Sequence, residues 1–127
     1  MLANDGAHMT SRFQPVCLRE QVADPGAREF EFSQDGETIS GFVLHWRGCW
    51  YAYRNRCPHT GVNLNWLPHQ FLDIGQEFVQ CSLHGALFRP EDGFCVRGPC
   101  LGRSLETLPV VIHSDEVGIE LGVSGKS

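Results

Sequence analysis

The sequence predicts an all-β fold, an antiparallel β sandwich into which a smaller subdomain is inserted at about residues 54–102. Three observations carry that expectation. Short runs of apolar and aromatic residues alternate with polar ones at a period of two, Gly/Pro/Asn/Asp clusters bound those runs, and no stretch has the length and 3.6-residue period of a long amphipathic helix. At 127 residues the chain makes one domain, long enough to bury roughly two-thirds of the surface its unfolded form exposes.

Residues 28–33 alternate Phe30 and Phe32 with charges, and Gln34-Asp35-Gly36-Glu37 reads as a turn. Residues 39–47 and 50–54 then form a hairpin around Gly48-Cys49, with Cys49 at its tip. Shorter strands are expected at 77–80 and 86–89, and Pro90-Glu91-Asp92-Gly93 turns the chain into 94–96. Residues 108–113 and 117–121 close the domain as a hairpin across Ser114-Asp115-Glu116. The domain is expected over 12–122, with a flexible segment at 1–11 and a frayed tail at 123–127.

Charge and hydropathy exclude some roles. With 10 Lys and Arg against 15 Asp and Glu, the net charge is −5, and no basic stripe offers to neutralise phosphates, so nucleic acid is not an expected partner. No apolar run approaches a membrane span, and Met1-Leu2-Ala3-Asn4-Asp5-Gly6 lacks the charged start and apolar core of a signal peptide. A cytoplasmic protein without a membrane partner is the resulting expectation.

The chemistry lies in two short pairs, Cys57-Pro58-His59 and Cys81-Ser82-Leu83-His84, each followed by a glycine, Gly61 and Gly85. Two cysteines and two histidines hold either one tetrahedral zinc or two irons bridged by sulfide. Zinc fingers usually take both cysteines from one arm and both histidines from the other, whereas each arm here mixes the two.

The flanking residues add specificity. The segments Cys57-Pro58-His59-Thr60-Gly61 and Cys81-Ser82-Leu83-His84-Gly85-Ala86-Leu87-Phe88, with Gly98-Pro99, Leu105 and Leu108-Pro109-Val110 downstream, resemble the loops of Rieske [2Fe-2S] proteins. The resemblance runs from about residue 12 to about residue 122. It implies a Rieske-type sandwich whose cluster-binding subdomain is the insert at 54–102, with one [2Fe-2S] cluster per chain. It also implies that Cys57 and Cys81 bind the buried iron, that His59 and His84 bind the outer iron, and that Gly98-Pro99 forms a third loop over the cluster. Replacing two thiolates by imidazoles raises the reduction potential relative to an all-cysteine cluster.

The resemblance is to the low-potential branch. High-potential members carry an extra disulfide-paired cysteine in each loop, and Val62 and Leu83 stand at the matching positions. They also place a serine and a tyrosine whose hydroxyls hydrogen-bond the cluster and a ligand sulfur, where this chain has Ala86 and Phe88. Such bonds stabilise the more negative, reduced state, so their loss lowers the potential, to an expected value of about −150 mV.

Cys17, Cys49, Cys95 and Cys100 remain. Cys95 and Cys100 flank Gly98-Pro99 and are expected near the cluster; their spacing allows a disulfide, but reduced thiols are expected in a cytosolic chain. Residues 62–75, between the ligand loops, are expected as a packed flap with Trp66 and Phe71 as its small core, the other reading being an apolar docking surface for a redox partner. His69 reads as a surface histidine, and His8, His45 and His113 fit no motif.

By this resemblance the chain is not an enzyme and has no catalytic residue. It is a stand-alone Rieske ferredoxin that passes single electrons from a flavin reductase to an oxygenase-type acceptor, its partners being those redox proteins. The competing readings are a redox-responsive regulatory or scaffold domain and the small subunit of a nitrite-reductase-like enzyme.

Overall fold

The computed structural model describes residues 12–58 and 60–121. The expected flexible segment 1–11 and frayed tail 123–127 lie outside the described residues, as do His8 and His59. Among the described residues nine strands run in chain order: β1 (Arg12–Leu18), β2 (Gly26–Gln34), β3 (Glu37–Trp46), β4 (Cys49–Arg54), β5 (Val79–Gln80), β6 (Leu87–Phe88), β7 (Cys95–Arg97), β8 (Val110–His113) and β9 (Glu116–Leu121). The one helical element among the described residues is a 3-10 turn at Arg19–Gln21. The strands form three antiparallel sheets of three, ordered β1-β9-β8, β2-β3-β4 and β5-β6-β7.

The central sheet separates two cores, and its sequence explains how. In β3, Phe42, Leu44 and Trp46 fall on one face while Ile39 and Val43 fall on the other, as the two-residue period of a strand requires. In β4, Tyr53 joins the first core while Trp50 and Ala52 join the second. A strand covered on both faces reads as a continuous apolar run rather than an alternation, which is what Phe42-Val43-Leu44 shows. The second core packs against β1 and β9 through Cys17, Val117, Ile119 and Leu121. The first contains Cys57, Leu64, Phe71, Cys81, Phe88 and Cys100. Within it Phe71 stacks on Phe42 with centroids 4.0 Å apart, and the buried Tyr53 hydroxyl donates to the Pro90 carbonyl at 2.7 Å.

Three local features depart from the sequence reading. The β3–β4 turn is Arg47-Gly48, not Gly48-Cys49: Trp46 pairs with Cys49, and both turn residues have positive φ, 50° and 79°. The Asp24 carboxylate accepts from the Arg47 and Gly48 N–H groups at 2.9 and 2.7 Å, which stabilises that two-residue turn and moves Cys49 off the tip into β4. The closing hairpin likewise turns on Ser114-Asp115, with Glu116 already paired to His113. Finally, β1 has no counterpart among the expected strands. Its internal Pro15 suppresses the strand signal, and the chain accommodates that proline where the register with β9 shifts between Pro15 and Cys17.

Candidate metal centre

The two Cys/His loops repeat one backbone pattern. The Cys57 carbonyl accepts from the Gly61 N–H at 2.7 Å, and the Cys57 N–H donates to the Val62 carbonyl at 2.7 Å. In the second loop the Cys81 carbonyl accepts from the Gly85 N–H at 2.8 Å, and the Cys81 N–H donates to the Ala86 carbonyl at 2.9 Å. Each turn closes through a glycine in the left-handed region, Gly61 at φ 81° and Gly85 at φ 72°. Only glycine enters that region without steric cost, which is why both motifs place one four residues after the cysteine. The loops also touch across the chain, since the Ser82 N–H donates to the Leu64 carbonyl at 2.8 Å.

Cys57 and Cys81 are buried, at 1% and 0% exposure, whereas His84 is exposed. The Cys57 thiol contacts that of Cys81. Burial pushes the Cys81 thiol up, while the backbone N–H groups of Leu83 and His84, aimed at its sulfur, pull it down. Backbone donors thus favour a thiolate at Cys81, and a bound metal would add positive charge that stabilises it further. The donor set fits a cluster in that sense. Among the described residues no three His, Cys, Asp or Glu side chains converge on one point; in a Rieske centre two cysteines serve one iron and two histidines the other.

A third segment holds both loops. Gly98 (φ 98°) packs on Ala86 so closely that a Cβ would come within 2.8 Å of the Ala86 Cα. Arg103 Nη1 donates to the Pro58 carbonyl at 3.0 Å, and the Cys100 Sγ lies 3.4 Å from the Cys57 Sγ. The segment around Gly98-Pro99 thus touches the second loop through a glycine and the first through an arginine and a sulfur. No cysteine is in a disulfide.

The insert at 62–75 is anchored by a polar network that the sequence reading missed. Asn55, only 3% exposed, donates from Nδ2 to Asn65 Oδ1 at 2.9 Å and to Ser40 Oγ at 3.1 Å, and its Oδ1 accepts from the Leu64 N–H at 2.7 Å. Asn65 Nδ2 donates to Glu29 Oε1 at 3.0 Å, and His69 Nδ1 accepts from the Glu29 N–H at 2.9 Å. His69 is exposed, as expected, yet its ring ties the insert to β2. The expected small core is half right: Phe71 is 1% exposed, but Trp66 is 78% exposed and belongs to no core. Leu64 takes the buried position instead, because the Asn55 bond draws the backbone at Leu64 inward. Replacing Asn55 with leucine is expected to lower stability by about 1–3 kcal/mol, since it orphans the buried Leu64 N–H. Hydrogen exchange checks this: protection at Leu64 should collapse while that in β9 changes much less.

Residues 12–112 match the Rieske [2Fe-2S] domain. A curated relative, the 3-phenylpropionate/cinnamic acid dioxygenase ferredoxin subunit of Photorhabdus laumondii, is 30% identical over 106 residues, 82% of this chain and 90% of that protein. Among solved structures, the ferredoxin of carbazole 1,9a-dioxygenase from Nocardioides aromaticivorans IC177 superposes with a TM-score of 0.64 at 20% identity, covering 84% of this chain and 95% of that one. The Sphingomonas yanoikuyae B1 ferredoxin gives 0.63 at 21% identity, covering 86% and 98%. A carbazole 1,9a-dioxygenase oxygenase solved as a fluorene-bound ferredoxin complex gives 0.73 at 21% identity, covering 94% of this chain but 31% of that one. The chain belongs to the Rieske [2Fe-2S] family, and a [2Fe-2S] cluster is its cofactor. No helix among the described residues is long and apolar enough to cross a membrane.

Proposed function

We propose that the protein is a cytoplasmic one-electron carrier that takes electrons from a flavin reductase and delivers them to an oxygenase-type acceptor. The ligands in this reading are Cys57 and Cys81 on the inner iron and His59 and His84 on the outer one, within a cluster-binding subdomain at about 54–102. The observation that carries it is the placement of two adjacent buried cysteines beneath an exposed His84. The cluster, when bound, supplies a centre that accepts and releases one electron. The protein's own residues do the rest. The two repeated turns present the sulfurs, the Leu83 and His84 N–H groups favour negative charge on Cys81, and the core around Phe42, Phe71 and Phe88 keeps water from the inner side.

The partner is met on the His84 side. Leu83 is exposed beside it, and Trp66 and Leu67 of the insert and Leu101 of the third segment are exposed too, at 49, 78, 57 and 66%; of these Trp66 is the aromatic side chain, the type that anchors interfaces. The acceptor class is supported by a relative named as a dioxygenase ferredoxin subunit and by a similar structure described as a complex of reduced oxygenase and oxidized ferredoxin.

EPR with a potentiometric titration tests this reading. A rhombic signal that appears only on reduction, with an average g below that of the free electron and a midpoint below zero, is expected. Colourless protein holding one tightly bound zinc after anaerobic preparation would overturn it.

A further inference from the structure

Cys100 has no place in the ligand set, yet it is fully buried and its Sγ lies 3.4 Å from that of Cys57. Between two neutral thiols either sulfur can donate. Coordination removes that ambiguity, because a ligand cysteine is a thiolate with no proton and can only accept. Cys100 is then the donor, aimed at a sulfur whose negative charge grows on reduction.

We propose that Cys100 is a positioning residue for the redox centre, an S–H donor to the Cys57 thiolate that raises the reduction potential. The proposal rests on Cys57 being a cluster ligand. It assigns a distinct role to the third segment, which delivers a hydrogen bond as well as covering the loops. Two features hold the donor in place. Cys100 sits on a turn closed by the Leu101 N–H to the Gly98 carbonyl and the Arg103 N–H to the Cys100 carbonyl, at 3.1 and 2.8 Å. Arg103 then bonds the Pro58 carbonyl, next to Cys57 in the chain. The donor and its acceptor are therefore clamped from neighbouring residues. With Ala86 and Phe88 lacking hydroxyls, an S–H group is the polar hydrogen that this chain brings to a ligand sulfur from a side chain of the third segment.

Thiols are weak donors, so the effect is modest. Cys100→Ala is expected to disfavour reduction by up to about tenfold, a fall of up to 59 mV for a one-electron couple. Cys100→Ser keeps a donor and is expected to restore most of the loss. A second measurement reads the native protein directly and needs only the conservative serine variant for assignment. In the native protein the infrared S–H stretch of Cys100, identified by its disappearance in Cys100→Ser, should move to lower frequency when the cluster is reduced. A potential unchanged in Cys100→Ala, a Cys100→Ser potential as low as that of Cys100→Ala, or an S–H band that ignores reduction would each overturn the proposal. In all three cases the native protein would still show its cluster EPR signal, so the carrier reading would stand. Native protein without that signal marks the failure of the parent reading instead.

Discussion

Cys81→Ser is expected to yield an almost colourless protein with more than about tenfold lower cluster occupancy. Cys81 is fully buried, and its neighbour Cys57 shares the same small volume. A serine hydroxyl there is a poor soft-metal ligand and stays protonated in an apolar site, so in the proposed ligand set the inner iron would lose half of its protein donors. Because metal binding couples to folding, the variant should also lose stability against urea. Cys57→Ser should behave alike. His84→Ala is expected to lose the native visible spectrum too, but with less damage to the fold, since His84 is exposed and supports no core. The exposed Cys49 provides the control, and its serine variant should keep full colour. Iron per chain, visible circular dichroism and urea midpoints measure these effects. A fully coloured Cys81→Ser protein would remove Cys81 from the ligand set.

The double variant Ala86→Ser/Phe88→Tyr is expected to raise the midpoint potential on the order of 100 mV, if each new hydroxyl favours the reduced state roughly tenfold. Both side chains are fully buried in the first core, which also contains Cys57 and Cys81. A hydroxyl placed there must find an acceptor or cost about 1–3 kcal/mol of stability. Electron-rich sulfurs are the acceptors at hand, and they accept more strongly once reduced. The two sites are not equally roomy, because Ala86 lies directly against Gly98. The serine variant therefore needs intact cluster absorbance before its potential is read. A double variant that loads fully and shows no upward shift would mean that the missing hydroxyls do not set the potential.

The legibility of this chain followed how local each signal was. The two Cys/His turns could be read because cysteine, histidine and glycine lie within five residues in the sequence, and the structure gives Gly61 and Gly85 the same backbone role. The hairpins were legible to within two residues, since Asp35-Gly36 and Gly48 announce their turns. What failed was non-local. The offset of the β3–β4 turn comes from Asp24, more than 20 residues earlier. Burial of Leu64 in place of Trp66 depends on Asn55, whose single amide ties β3 to the insert at both Leu64 and Asn65. An isolated asparagine carries no pattern, so no reading of the insert by hydrophobicity would have found it. Cys100 was expected near the cluster, but its contact with the Cys57 sulfur depends on how the third segment folds back.

The two-faced central strand limits how far the redox end can be regarded as a separable module. Phe42, Leu44 and Trp46 of β3, with Tyr53 of β4, form one wall around Cys57, Cys81 and Phe88. All four of those large side chains lie outside residues 54–102, Tyr53 by a single position. An excised 54–102 fragment would leave Phe71 without the ring it stacks on. Grafting the electron-transfer function onto another scaffold therefore means transplanting the β3–β4 ribbon with the loops. The smallest portable unit is a sheet with its loops, rather than the loops alone.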